Sequence, residues 1–135
     1  MIVDTSALYA FFDSQDPHHS DVVEAIERCK EPLTVSPLVV AELDYLVLTR
    51  KGGTAESAVL EELCGGAWHL AAVSIDLLRR ASEIVRRFAD QPIGITDAVS
   101  VSLAEEHGTS VIATLDRRHF SVLRHAGGGF LDIVP

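Results

Sequence analysis

Residues 1–12 read MIVDTSALYAFF, and they contain a strand followed by a helix, an alternation that continues along the rest of the chain. The short apolar run at residues 1–4 predicts a buried strand, because a strand buried on both faces carries apolar residues at consecutive positions. Thr5 or Ser6 is placed to cap a helix through Phe12, since its hydroxyl oxygen accepts a hydrogen bond from a free backbone N–H of the first turn. Asp4 therefore stands where the first strand passes into the first helix.

The same alternation of strand and helix continues along the chain. Cap residues, prolines and paired glycines mark where the helices begin and end. Short apolar strands separated by helices predict an α/β fold with a five-stranded, mainly parallel sheet flanked by helices on both faces. The predicted strands are residues 1–4, 33–35, 70–73, 111–115 and 130–134. The later predicted helices open at Asp16-Pro17, Ser36-Pro37, Thr54, Ser74 and Thr96-Asp97 and end near residues 29, 49, 64, 88 and 107.

Length and composition predict a single globular domain over residues 1–135. The hydrophobic fraction of 47% provides a core, and 23% charged residues is not typical of a disordered chain. No apolar run approaches the roughly 18 residues that a membrane-spanning helix needs, and no basic leader precedes Ile2. Cys29 and Cys64 match neither a zinc motif nor a disulfide framework, which favours a reducing compartment. We therefore expect a cytoplasmic protein.

Charge is spread unevenly over the chain, whose formal net charge is −9. Residues 1–67 carry 4 Lys/Arg against 12 Asp/Glu, whereas residues 68–135 carry 7 against 8. All seven cations of the second half are arginines, which bind phosphate better than lysine does. An acidic total argues against a protein that coats nucleic acid generally. It does not exclude a nuclease that holds metal ions in an acidic pocket.

Four carboxylates are candidates for one site. Asp4 and Asp116 end the first and fourth predicted strands, and the carboxyl ends of parallel strands are where functional groups gather. Glu42 lies in a helix that is apolar on almost every side, so we expect that helix to be buried all round and the carboxylate to need a positive partner. Asp97 lies in the first turn of its helix, where the dipole favours an anion. The structural alternatives are turn residues for Asp4 and Asp116, a cap for Asp97 and an exposed strip for Glu42.

Taken together, the four acids indicate a metal site. Converging carboxylates repel one another unless they share cations, and oxygen-only ligands suit Mg²⁺ or Mn²⁺ rather than zinc. Such a cluster can polarise a phosphodiester and activate a water molecule. Thr5, Ser6 and Thr114 adjoin the acids in sequence and are candidates to supply hydroxyl groups that orient them.

The motifs around these acids resemble those of PIN domains, and more narrowly those of the VapC toxins of bacterial VapBC toxin–antitoxin modules. Each motif is weak alone, but their order and spacing over 135 residues are specific. The motifs are Met-Ile-Val-Asp4-Thr5-Ser6-Ala-Leu, Ser36-Pro37-x4-Glu42-Leu, Gly94-Ile-Thr96-Asp97-Ala98 and Ala113-Thr114-Leu-Asp116-Arg117-Arg118-His119-Phe120.

The resemblance implies a PIN fold and a Mg²⁺- or Mn²⁺-dependent endoribonuclease that cuts structured RNA, either tRNA or rRNA, and inhibits translation. It also implies homodimers and neutralisation by a cognate VapB antitoxin in a toxin–antitoxin hetero-oligomer. Carried over by position, Asp4, Glu42 and Asp97 match the three core acids of the family. Asp116 matches the fourth, more variable acid, and Ser6 matches a small polar residue that orders the site.

RNA docking is expected from the residues that follow Asp116. The tract 117–125 contains Arg117, Arg118, His119, Arg124 and His125 and no acid. We interpret Arg117, Arg118 and His119 as RNA-binding, with an internal salt bridge as the alternative for one arginine. A second basic stripe, formed by Arg79, Arg80, Arg86 and Arg87 on one helix, is interpreted as a solvated face.

Two other functional classes are alternatives to the nuclease. A receiver-like phosphoacceptor domain also places acids at strand ends, but it needs a lysine late in the chain, and the only lysines are Lys30 and Lys51. A catalytically inactive PIN-like binding module is the remaining alternative. All four acids are intact, which argues against it, and a metal-dependent cleavage assay decides between the two.

Overall fold

The computed structural model describes residues 1–91, 93–123 and 129–135. Within these ranges the sheet has five strands, all parallel, in the order β3-β2-β1-β4-β5. The predicted sheet is therefore confirmed, and β1, which carries Asp4 at its end, lies at its centre. The strands are β1 Ile2–Val3, β2 Thr34–Val35, β3 His69–Leu70, β4 Val111–Ala113 and β5 Asp132–Val134.

Seven helices connect or flank the strands in the described part of the chain. Ser36 and Ser74 cap their helices as predicted, since their hydroxyl oxygens accept hydrogen bonds from the backbone N–H groups of Val39 and Leu77, both at 3.1 Å. The helices are α1 Thr5–Phe12, α2 His19–Arg28, α3 Pro37–Lys51, α4 Gly53–Cys64, α5 Ile75–Arg87, α6 Ile95–His107 and α7 Arg117–Phe120.

The core consists of two clusters, one on each face of the sheet. Ile2 and Val3 are neighbours in β1, but their side chains belong to different clusters, because successive side chains of a strand point to opposite faces. The cluster that contains Ile2 packs against α5 and α6, through Leu77 and Val99 among others. The cluster that contains Val3 packs against α1, α2 and α3. The predicted layers of helices on both faces are thus confirmed.

Helix α6 is buried along most of its length, which fixes the position of Asp97 in its first turn. Residues 98–104 of this helix are all buried. Several of them are small, including Ala98, Ser100, Ser102 and Ala104, and small side chains allow a helix to approach its neighbours closely. The buried Ser102 hydroxyl is satisfied by the carbonyl oxygen of Ala98 at 2.9 Å.

Some predicted boundaries were wrong. Helix α2 begins at His19, because the side chain of Asp16 instead accepts a hydrogen bond from the backbone N–H of His18 at 2.8 Å and closes a turn. Thr54 does not cap α4, which follows Gly52 without a side-chain cap. Gly52 has a φ of 85°, which suits glycine and ends α3. Strand β3 begins at His69 rather than at Leu70 and ends at Leu70.

The expectation that α3 is buried all round was also wrong. Only Val39, Leu43 and Val47 are buried, and they form one stripe at helical spacing. Glu42 is exposed, and so is Tyr45. The apolar composition of α3 hid this outcome, because hydrophobicity alone does not tell which face another element covers. No helix among the described residues is long and apolar enough to cross a membrane.

Candidate active site

Asp4 is the most buried of the four acids, with 4% of its surface exposed. It directly follows β1 and is the N-cap of α1, so its position is set by the central strand. Its Oδ2 accepts hydrogen bonds from the hydroxyls of Ser6 and Thr114, both at 2.9 Å. Burial raises the pKa of Asp4 above its ordinary value, and the two hydroxyl hydrogen bonds partly oppose that rise.

Ser6 and Thr114 join Asp4 to the turn that carries Asp116. The Ser6 hydroxyl accepts a hydrogen bond from the backbone N–H of Leu115 at 2.9 Å, and the Thr114 hydroxyl accepts one from the backbone N–H of Asp116 at 3.0 Å. The two hydroxyls are 3.2 Å apart. Both residues therefore order the end of β4 relative to Asp4.

Asp97, in the first turn of α6, lies near the Asp4 carboxylate. Its pKa is raised to about 6, first because the carboxyl is buried and then because the Asp4 carboxylate is near, while His119 opposes the rise. A like charge raises the pKa of an acid only when the two carboxyls lie close together in a poorly solvated place. The structure thus brings together the first and third predicted acids, which are 93 positions apart in the sequence.

Glu42 reaches the same place from α3, although it is exposed. Its Oε2 accepts a hydrogen bond from the Thr5 hydroxyl at 2.7 Å, and its Oε1 accepts one from the Thr96 hydroxyl at 2.6 Å. Thr5 directly follows Asp4, and Thr96 directly precedes Asp97. Both threonines are buried, so they fix the Glu42 carboxylate between the two core acids.

Asp116 is the N-cap of the short helix α7, which the sequence analysis did not predict. Its Oδ1 accepts a hydrogen bond from the backbone N–H of His119 at 3.4 Å. The imidazole of His119 turns back toward the acids, where Nδ1 is 2.9 Å from Oδ2 of Asp97 and 3.3 Å from Oδ2 of Asp116. His119 was predicted to bind RNA, and the structure places it between two of the carboxylates.

Sequence reasoning overlooked Thr96 as a site residue and the contact of His119 with the acids. A signal for Thr96 was present, because each of the acids Asp4 and Asp97 has a threonine next to it. The signal for His119 is its spacing of three residues from Asp116, which is the reach of an N-cap side chain into the first turn. The basic neighbours of His119 favoured the other interpretation.

The donor set of this site fits a hard divalent cation, because it consists of carboxylate and hydroxyl oxygens. Burial raises the pKa of both Asp4 and Asp97, and the nearby Asp4 carboxylate adds to the rise at Asp97. Carboxylates that lie close together repel one another, and a cation relieves that repulsion. Among the described residues, however, no three Asp, Glu, His or Cys side chains are already arranged to hold a metal ion. The carboxylates would have to turn to bind one.

The two arginines that follow Asp116 are exposed at the edge of the site. Together with Ser6, Leu115 and Asp116 they line an open groove of about 330 Å³. The Arg117 guanidinium donates a hydrogen bond to the carbonyl oxygen of Pro135, which is an internal contact but not the internal salt bridge given as the alternative for one arginine. Arg124 and His125, the remaining basic residues of the predicted tract, lie outside the described residues.

The arginine stripe of α5 is exposed, and two of its members have acidic partners. Arg79 pairs with Asp76 at 2.7 Å, and Arg80 pairs with Glu106 at 2.6 Å. These contacts agree with the interpretation of a solvated face.

Comparison with known proteins shows the family to which this chain belongs. The family model for the PIN domain matches residues 1–125. Ribonuclease VapC26 of Mycobacterium tuberculosis is 54% identical over 135 residues, which is the whole of both chains. The chain belongs to the PIN domain family, among the VapC ribonucleases of toxin–antitoxin systems.

Solved structures share the fold of this VapC-family chain. Mycobacterium tuberculosis VapC20, described as a toxin that cleaves the sarcin–ricin loop, superimposes with a TM-score of 0.83 at 22% identity and covers 99% of this chain and 98% of its own. VapBC2 of Rickettsia felis, solved with a promoter DNA fragment, gives 0.73 at 15% identity over 99% and 98%. A toxin–antitoxin complex from Klebsiella pneumoniae gives 0.72 at 16% identity over 99% and 95%.

Proposed function

We propose that this VapC-family chain is a Mg²⁺- or Mn²⁺-dependent endoribonuclease toxin of a type II toxin–antitoxin module. It hydrolyses phosphodiester bonds of structured RNA, tRNA or rRNA, and thereby inhibits translation. The observation that carries the proposal is the cluster formed by buried Asp4, half-buried Asp97 and Glu42, whose carboxylate is held by Thr5 and Thr96, the sequence neighbours of the other two acids. Two carboxyls held near each other in this way attract a divalent cation, because the cation relieves their repulsion and carboxylate oxygens are its preferred ligands.

Asp4 and Asp97 are the residues that would hold the cation, with Glu42 and Asp116 beside them. A bound Mg²⁺ or Mn²⁺ supplies charge stabilisation at the phosphate and lowers the pKa of a bound water molecule. Because these cations prefer oxygen ligands, they agree with a donor set of carboxylates that includes no cysteine. The family relationship to a ribonuclease of 54% identity supports the same assignment.

The surrounding hydroxyls position the acids for that task. Ser6 and Thr114 hold the Oδ2 atom of Asp4, and Thr5 and Thr96 each hold one oxygen of Glu42. Hydrogen-bonded carboxylates keep one orientation, which is the usual role of residues behind a metal ligand.

RNA would lie along the groove beside Asp116. Arg118 is exposed there and is available to a phosphate, and Arg117 can exchange its contact with Pro135 for one. The proposed RNA contacts are therefore electrostatic, and they should weaken with salt.

The proposed partners follow from the family. We expect a cognate VapB-type antitoxin that neutralises the toxin, a homodimer, and a toxin–antitoxin hetero-oligomer in the cytoplasm. The acidic first half of the chain, with 4 Lys/Arg against 12 Asp/Glu, favours an antitoxin whose toxin-binding segment is basic.

Cleavage of total RNA by the purified chain tests the proposal. Asp4→Asn and Asp97→Asn should each lower the rate on the order of 10²-fold or more, because each removes a charge that holds metal. EDTA should stop cleavage, Mn²⁺ should restore it, and Zn²⁺ should restore it poorly. Asp76→Asn is the matched control, since Asp76 lies in the first turn of α5 as Asp97 does in α6.

Two results would contradict the proposal. Near wild-type cleavage by Asp97→Asn in Mg²⁺ would remove that residue from the site. No metal-dependent cleavage of any RNA by the wild-type chain, together with intact antitoxin binding, would favour the inactive PIN-like binding module. Mapping the cleaved ends on total RNA after induced expression would identify the target.

A further inference from the structure

His119 places one ring N–H between two carboxylates of the site. Its Nδ1 is 2.9 Å from Oδ2 of Asp97 and 3.3 Å from Oδ2 of Asp116. In the tautomer that carries a hydrogen on Nδ1, that hydrogen is shared by two acids on different elements, α6 and the turn before α7. The Asp97 and His119 side chains are partly shielded, with 17% and 28% of their surfaces exposed.

Asp97 and Asp116 are also two of the four acids that would hold a cation. A donor placed between two carboxylates reduces their repulsion and turns their oxygens toward itself. That orientation agrees with the absence, among the described residues, of any three acidic or histidine side chains arranged for a metal ion.

The position of His119 allows its imidazole to turn away from the carboxylates of Asp97 and Asp116. It lies on α7, which is four residues long, and its backbone N–H is joined to Asp116 by a long hydrogen bond of 3.4 Å. The partly exposed imidazole can turn into solvent without opening the core, because the buried anchor of α7 is Phe120 rather than His119.

We propose that His119 is a latch on the metal site. It bridges Asp97 and Asp116 while no cation is bound, and it must release Asp97 before a divalent cation can bind there. His119 and the cation therefore compete for the same carboxylates, and His119 is a positioning residue whose effect on cleavage passes through the acids. This inference rests on the metal dependence proposed above.

Binding of Mn²⁺ to the metal-free full-length chain, without RNA, tests the latch. Isothermal calorimetry or electron paramagnetic resonance gives the affinity, and thermal unfolding in EDTA gives the stability. His119→Ala should bind Mn²⁺ roughly five- to tenfold more tightly, as expected for removing one competing hydrogen bond, and should unfold a few degrees lower in EDTA.

Two further variants make the experiment specific. His119→Asn keeps an amide N–H near the position of Nδ1, so it should stay close to the wild type in both measurements. His18→Ala is the control, because His18 is exposed and its side chain makes no capping hydrogen bond. It should change neither the affinity nor the stability.

The direction in which the Mn²⁺ affinity changes distinguishes the possible roles of His119. Weaker Mn²⁺ binding by His119→Ala would overturn the latch and make His119 a residue that orients bound ligands. Unchanged binding would overturn it as well. In both cases the wild type still binds Mn²⁺, so the proposed function survives. If neither the wild type nor His119→Ala binds Mn²⁺, the proposed metal dependence falls together with the latch.

Discussion

The carboxyls of Asp4 and Asp97 interact across the carboxyl end of the sheet. After burial, the charge of Asp4 is the next cause of the rise in the pKa of Asp97 to about 6. The central strand presents Asp4, and the buried helix α6 presents Asp97, so neither acid can retreat without disturbing the core. The folded chain thus maintains a repulsion that a proton or a cation can relieve.

This repulsion predicts how the stability of the metal-free chain depends on pH. The ordinary pKa of Asp97 is 3.8, so between about pH 4 and 6 the unfolded chain releases a proton that the folded chain keeps. The contribution of Asp97 to stability is therefore fully present below about pH 4 and is lost as pH rises through about 6. Thermal unfolding in EDTA should give a melting temperature that falls across this interval.

Two controls belong to that measurement. Asp97→Asn should flatten the decrease, because the variant has no proton to lose at this position. Added Mg²⁺ should also flatten it, since the cation binds the ionised carboxyl. A melting temperature that rises through the same interval in EDTA, for the wild type but not for Asp97→Asn, would contradict the raised pKa.

The same repulsion predicts that metal-free Asp97→Asn is more stable than the wild type, although the substitution should abolish cleavage. At pH 7.5 in EDTA, Asp97→Asn removes a buried charge and keeps an oxygen that can accept from His119. A shift of the pKa from 3.8 to about 6 corresponds to at most about 3 kcal/mol, so a gain on the order of 1–3 kcal/mol is expected. The melting temperature should rise by several degrees.

Added Mg²⁺ should reduce this difference in stability between Asp97→Asn and the wild type. It should stabilise the wild type more than Asp97→Asn, because the variant has lost a charged ligand. Asp76→Asn, at the exposed first turn of α5, should show neither effect. If metal-free Asp97→Asn melted lower than the wild type, the acids would not form a close, repulsive pair.

The threonines that hold Glu42 give a third prediction. Thr5→Val and Thr96→Val each remove one hydroxyl donor with little change in shape, so one oxygen of Glu42 loses its partner. Cleavage should fall about tenfold or more, as is typical when a group that orients a metal ligand is removed. Stability should change by only about 1 kcal/mol, because the Glu42 carboxylate is exposed to water.

Thr49→Val is the matched control for these variants. Thr49 lies on α3 like Glu42, but its hydroxyl donates to the carbonyl oxygen of Tyr45 at 2.7 Å on the exposed face. Its loss should leave cleavage unchanged. Wild-type rates for both Thr5→Val and Thr96→Val would show that the orientation of Glu42 does not matter for cleavage.

The sequence was sufficient for the sheet and for the acids at its edge. Asp4 and Asp116 follow apolar runs typical of buried strands, and parallel strands end at a common edge. Asp97 was found because it lies in the first turn of a predicted helix, where the dipole favours an anion. These features are local, and a local pattern is enough to predict them.

What could not be predicted depends on which elements face each other. The surroundings of Glu42 required the contact of α3 with Thr5 and Thr96, which lie 37 and 54 positions away. The exposed side of α3 was hidden by its apolar composition. Helix α7 has only four residues and no periodicity to read, so the spacing of His119 from Asp116 was visible in the sequence but the return of its side chain to Asp97 was not.

The last prediction concerns RNA docking. If Arg117 and Arg118 contact substrate phosphates, replacing them with alanine should weaken RNA binding and reduce the dependence on salt. Each lost contact should lower the slope of log affinity against log salt by about one unit. Binding is measured over a range of salt concentrations in the Asp97→Asn background, where cleavage is expected to be slow. Arg86→Ala with Arg87→Ala is the matched control, because these arginines are exposed in the last turn of α5.

The contact between Arg117 and Pro135 sharpens this test. Arg117 must give up a hydrogen bond to a carbonyl oxygen before it can bind a phosphate, whereas Arg118 lines the groove beside Asp116. The single change Arg118→Ala should therefore weaken binding more than Arg117→Ala. Equal salt slopes for the wild type and the double Arg117/Arg118 variant, with unfolding temperatures unchanged, would exclude this tract from the RNA interface. A reduced slope for the Arg86/Arg87 control would instead place the RNA over α5.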